Sequence, residues 1–245
     1  MRTNRESAPS GPFLPQMRPL VVGIDDSNIL MSAREHAREI GEPDAGSLRL
    51  DIPHLVKLAL NSRPLTYGVA VGSTNQADTR VAQVYERVGF AGMWLERGCL
   101  SGREVGVDAT LASELQWFAL QRTPGTVVLL TADGAGYRHG RGFFMLLEQM
   151  HYLGWSVELL AYRSSANKAM VEWVESHGFF GDLADHHDAI TFVHGRRHSV
   201  PVRELDGWAD RGFSDGDELS TGGGNLGSYR PRPPMSAAEA SPANS

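Results

Sequence analysis

Residues Val21–Leu30 read VVGIDDSNIL. An apolar, β-branched run stops abruptly at two carboxylates, a hydroxyl and an amide, then turns apolar again. Val and Ile suit a pleated strand, and a continuous apolar run bounded by turn residues suits a strand covered on both faces. Asp, Ser and Asn are the residues that cap a helix leaving such a strand. The stretch is therefore a strand-to-helix junction, with Ser27 expected to cap the helix. Its carboxylates have two readings, as elements of a turn and cap or as ligands of a cation.

Working outward, strand-like and helix-like segments alternate. Strands are expected at Leu20–Ile24, Thr66–Gly72, Gly92–Leu95, Thr126–Thr131, Ser156–Ala161 and Ala189–Val193. Helical periodicity marks Asn28–Ile40, Ile52–Asn61, Ala77–Val88, Val107–Leu120, Gly142–Leu153 and Ala166–Ser176. This alternation predicts an α/β fold, a central mainly parallel sheet flanked by helices. Residues 1–17 read as a flexible leader and 18–200 as the folded domain. Residues 201–245, rich in Gly, Pro, Ser and Ala, read as a mostly disordered tail.

Ligands of such sheets bind beyond the carboxyl ends of the strands, where strand order reverses. Asp25, Asp26 and Asn28 follow the first strand, Asp133 follows VVLLT, and Asp108 opens the helix after Gly106. Singly, each can be a cap or a turn residue. Together, carboxylates at one edge repel one another unless a cation is present. An all-oxygen donor set suits a hard dication such as Mg²⁺ or Mn²⁺.

The succession I-D-D-S-N, then G-V-D-A-T-L-A-S-E, then V-V-L-L-T-A-D-G resembles the NYN domain, a branch of the PIN-like nucleases. The resemblance runs from about Pro19 to Val193. It implies a PIN-like (Rossmann-like) three-layer domain and a metal-dependent ribonuclease using Mg²⁺ or Mn²⁺. Matched residue by residue, it assigns catalysis to Asp25, Asn28, Asp108 and Asp133, with Asp25, Asp108 and Asp133 holding metal. Glu114 falls where the family often has a second helix acid. It stands about 120° around the helix from Asp108, which implies a supporting role. The chain departs from the pattern at Ala135, where a second late aspartate is usual, and at Val105, where lysine is common. Asp26 is a candidate substitute ligand. Arg138, His139 and Arg141, in the glycine-rich loop after Asp133, are expected to contact RNA phosphates.

The 245 residues carry a net charge of −6, which argues against a chain-wide electrostatic grip on nucleic acid while leaving room for a local basic patch. No apolar run is long enough to span a bilayer. One cysteine, Cys99, excludes an internal disulfide, and a reducing cytoplasm is the expected compartment. RNA, single-stranded or structured, is the implied partner, and a homo-oligomer is compatible with all of this. Asp185-His186-His187 looks like the motif of another manganese phosphoesterase family, but that family's earlier acidic element is missing, so a polar loop is expected there. A haloacid-dehalogenase phosphatase wants a second aspartate where Ser27 stands, and a dinucleotide site wants glycines where the acids stand. The rival from another class is a catalytically degenerate NYN-like module that binds RNA or a protein, favoured by Ala135 and the acidic balance.

Overall fold

The computed structural model describes residues 18–74, 80–96, 106–134 and 142–193, all within the compact unit Met1–Trp208. Its centre is β1 (Leu20–Asp25), which pairs in parallel with β3 (Tyr67–Thr74) on one side and β5 (Thr126–Leu130) on the other. With β4 (Ala91–Glu96), β6 (Ser156–Ala161) and β7 (Phe179–Asp182) it forms a six-stranded sheet in the order β4-β3-β1-β5-β6-β7. Every described pairing in that sheet is parallel. The chain leaves β1 toward β3 and later returns on the other side as β5. The β1/β5 seam is therefore the point at which strand order reverses.

Strand periodicity sorts the side chains of β1 onto two cores. Leu20, Val22 and Ile24 pack with helices α1 (Asp26–Glu39), α2 (Ile52–Leu60) and α3 (Arg80–Arg87). Val21 packs on the opposite face with α4 (Val107–Leu120), α5 (Phe143–Tyr152) and α6 (Lys168–His177). Gly23 shares the second face, and its lack of a side chain lets α4 close in. A Cβ there would sit 2.7 Å from Leu115 Cδ1 and 3.2 Å from Leu111 Cδ1. Three layers result, helices on both faces of one sheet, as the alternation predicts. Among the described residues no helix is long and apolar enough to cross a membrane.

Two elements differ from expectation. The run Ala189–Val193 is not a strand of the main sheet. Its first two residues belong to a short helix, α7 (His187–Ile190), and only β8 (Thr191–Val193) is extended, pairing antiparallel with β2 (Leu48–Leu50) in a separate two-stranded sheet. The outer strand is instead β7, whose sequence FFGD is too short to show alternation. Asp185 and His186 lie in a turn of 3₁₀ helix, Leu183–His186, rather than an irregular loop. The expected leader, tail and basic loop lie outside the described residues.

Candidate functional site

The carboxyl end of β1 places Asp25 and Asp26 on opposite sides of the sheet. Asp25, 2% exposed, has the facing of Val21 and Gly23 and so lies on the α4 side. It is also the N-cap of α1, with Oδ1 accepting from Asn28 N at 3.1 Å. Thr131 Oγ1 makes a long 3.5 Å contact to its other oxygen and accepts from Asp133 N at 3.2 Å. Thr131 thus sits between the two acids that end the neighbouring strands.

Asp26 opens α1, and its Oδ1 accepts from Tyr85 OH at 2.9 Å. Burial, followed by the charge of Asp26, holds the Tyr85 phenol well above its ordinary pKa, so it remains a donor. This bond ties Asp26 to α3, on the other face from Asp25, and gives the acid a structural partner.

Capping also differs from expectation. Ser27 does not cap α1; its Oγ accepts from Ser73 N at 3.0 Å and fastens the helix start to the end of β3. Asn28 Oδ1 accepts from Ala132 N at 2.7 Å, joining the start of α1 to the extension of β5. That bond spans the seam where strand order reverses. Beyond it, Gly134 lies so close to Asn167, the N-cap of α6, that a Cβ would be 2.5 Å from Asn167 Cβ. Asn167 N donates to Ala132 O at 3.0 Å, so both polar backbone groups of Ala132 are bonded.

Asp108 is the second residue of α4, behind Gly106, whose φ of 87° falls in the left-handed region that suits glycine. Asp108, Leu111 and Leu115 share one helix face. Because α4 leads into β5 from beyond the end of β4, it runs against the strands. Asp108 lies one turn beyond Leu111, about 4.5 Å of rise, and Asp25 two residues, about 6.6 Å, beyond Gly23. The two acids are therefore brought to the same edge on the same face.

Glu114 is not. It accepts from Tyr67 OH at 2.7 Å, and Tyr67 opens β3 opposite Val21. Asp25 is opposite Val71, four residues further on, or about 13 Å along the strand. Burial and the Glu114 hydrogen bond push the Tyr67 phenol up to about 12. Glu114 therefore belongs to the far end of α4, where Tyr67 also stacks on Phe118 with ring centres 4.9 Å apart.

Asp25 and Asp26 have hydrogen-bond partners within the fold, and the N-termini of α1 and α4 favour negative charge there. Among the described residues no three His, Cys, Asp or Glu side chains are gathered as a ready-made metal cage. The donor chemistry nonetheless fits a hard cation of the magnesium kind. Such an ion is commonly held by one or two carboxylates with waters and substrate phosphates, rather than by an all-protein cage. Asn28 keeps its amide donor group, which makes no hydrogen bond among the described residues. Arg138, His139, Arg141 and Ala135 lie outside the described residues.

One polar cluster went unread in the sequence. His187 is 4% exposed, and its Nδ1 is 2.8 Å from Tyr162 OH. Its Nε2 has no hydrogen-bond partner among the described residues and lies 3.6 Å from Glu42 Oε2. The doubled histidine of Asp185-His186-His187 was its only trace. The second His is buried with its ring against those of His36 and Tyr162, at centre distances of 4.9 and 5.7 Å.

These features define an α/β protein with a wholly parallel described main sheet and an acidic edge at its strand-order reversal. The fold matches, with a TM-score of 0.50 and 15% identity, a crystal structure of a protein of unknown function from Vibrio parahaemolyticus. The match covers 69% of this chain and 95% of that one. No protein-family model matches the chain, and no curated protein matches it.

Proposed function

We propose that this protein is a cytoplasmic, metal-dependent ribonuclease of the NYN/PIN-like kind, hydrolysing RNA phosphodiester bonds at the β1/β5 edge. The observation that carries the proposal is the placing of Asp25 and Asp133 at the ends of adjacent parallel strands, with Asp108 at the same edge. Asp25, Asp108 and Asp133 hold Mg²⁺ or Mn²⁺. The ion, when bound, supplies Lewis-acid activation of water and charge stabilisation at the phosphoryl oxygens. Thr131 fixes the orientation of Asp25 through its hydroxyl. The Asn28 amide, held by its oxygen to Ala132 N, presents its N–H groups to a phosphate oxygen. Arg138, His139 and Arg141 receive flanking phosphates.

A second reading rests on the same contacts. Asp25 caps α1 and Asn28 seals the seam, so both residues have structural work in a non-catalytic module that binds RNA or a protein. One experiment separates the two. Labelled single-stranded RNA is incubated with Mg²⁺, with Mn²⁺ or with chelator, using wild type, Asp25→Asn and Asp133→Asn. Asparagine is itself a good N-cap, so Asp25→Asn preserves the helix start. Metal-dependent cleavage lost in both variants supports the nuclease. RNA bound but uncut in every metal supports the binding module.

A further inference from the structure

Far from the acidic edge, the last turns of α5 and α6 bring together His151, Trp173 and His177. The two histidines are exposed and Trp173 is half-buried. The His177 ring lies on the Trp173 ring, with centres 4.6 Å apart and planes 14° from parallel. His151 stands nearly perpendicular to both, 5.6 Å from Trp173 and 5.4 Å from His177. Near-equal distances to two stacked rings put His151 beside the stack, at the ring edges, rather than on top of it.

The tautomer of His177 follows from its neighbour. Its Nδ1 is 2.8 Å from the carbonyl oxygen of Trp173. A carbonyl only accepts, so Nδ1 carries the proton and the neutral ring keeps its lone pair on Nε2. A ring N–H held by a backbone carbonyl is the arrangement that orients metal-ligating histidines. His151 makes no side-chain hydrogen bond among the described residues, so either tautomer is open to it and either ring nitrogen can be the one that binds a cation.

The ring separation also fits. With metal–nitrogen bonds of about 2.0–2.1 Å and about 1.1 Å from nitrogen to ring centre, two imidazoles at the tetrahedral angle have centres about 5.2 Å apart. The observed separation is 5.4 Å. We infer that His151 and His177 form a two-imidazole site for a borderline transition-metal dication, of which Zn²⁺ is the representative, bridging the last turns of α5 and α6. Imidazole donors select such ions over Mg²⁺, which prefers oxygen. Two protein ligands leave the remaining positions to water or an exogenous donor. The site shares no residue with the acidic edge and stands whether or not that edge is catalytic.

The test is calorimetric titration of the full chain with Zn²⁺ in excess Mg²⁺, comparing wild type with His151→Gln, His177→Gln and the double variant. Both substituted side chains are at the surface, and circular dichroism verifies that each variant is folded. The expected result is that each single variant weakens the same one Zn²⁺ by about tenfold or more, as loss of a metal ligand does, and that the double variant loses one ion and no more. Wild-type binding in either single variant, loss of two ions in the double variant, or no Zn²⁺ bound by wild type overturns the inference.

Discussion

Asn28→Ala removes the side-chain acceptor that joins α1 to the β5 extension. The bond lost is 2.7 Å long, and the Ala132 N–H it satisfies belongs to a buried residue. Leaving a buried donor unpaired costs about 1–3 kcal/mol, and alanine returns about 0.5 kcal/mol through its better helix propensity. The net expectation is about 1.5 kcal/mol of lost stability, or about 3–6 °C in Tm for a domain of this size. Asn28→Asp makes the complementary test. It keeps an acceptor for Ala132 N while removing the amide donors and adding a charge beside Asp25. Its stability is expected to stay above that of Asn28→Ala and, on the proposed function, its RNA affinity to fall. Urea unfolding of the three proteins gives the stabilities, and RNA-binding isotherms give the second effect. A stability for Asn28→Ala equal to or above that of wild type would refute the clamp, because the smallest penalty for an orphaned buried N–H still outweighs the gain in helix propensity.

Three further expectations concern the frame around the site. Arg63 grips Glu158 in a two-pronged pair, at 2.6 and 2.8 Å, with the acid 9% and the arginine 29% exposed. Arg63→Met, which takes the guanidinium from a buried acid, is expected to cost about 3 kcal/mol in urea unfolding, while Arg63→Met with Glu158→Leu recovers most of it; equal losses in single and double variants would contradict that coupling. Gly134→Ala sets a Cβ 2.5 Å from Asn167 Cβ and Cγ, atoms that cannot swing aside, so the strand extension must leave the start of α6 at about 1–3 kcal/mol. An unchanged midpoint and m-value would contradict that close approach. Finally, burial lowers the His187 pKa, with His36 acting in the same direction and Glu42 and Asp188 opposing. The unfolded chain takes up that proton first, so His187 costs stability as pH falls below its unfolded value of about 6.5 and costs nothing above it. The slope of stability against pH between 5 and 6.5 should be shallower in His187→Gln, and identical slopes would count against a buried neutral imidazole.

Runs such as VVGI and VVLLT announce their strands because a sheet covered on both faces needs apolar residues at every position, and acid or glycine marks where cover ends. The same logic located Asp25 and Asp133, and the start of a helix located Asp108. What failed was decided at long range. Asp25 and Ser27 are both good caps, and the choice between them depends on where β3 delivers Ser73. Helix geometry places Glu114 to the side of Asp108, but only the register of β3 reveals that Tyr67 waits there. The run ending in TFV looks as strand-like as VVLLT, yet its partner is the three-residue LRL, too short to register as a pattern. Tyr85, the partner that holds Asp26, lies 59 positions away in the chain.

The bond from Asn28 to Ala132 also decides what kind of ligand the edge can receive. In many parallel sheets the gap between diverging crossovers is a trough of open backbone amides, into which a phosphate group sinks. Here the protein fills the trough itself: the Asn28 side chain takes the Ala132 amide, the backbone N–H of Asn167 takes its carbonyl, and Gly134 is pressed against the start of α6. On the proposed function, a phosphate at this part of the edge meets, among the described residues, carboxylate oxygens and the Asn28 amide donor group in place of the Ala132 backbone groups. On that reading, the edge favours a polymer whose backbone passes over it above a mononucleotide that must sink among backbone amides.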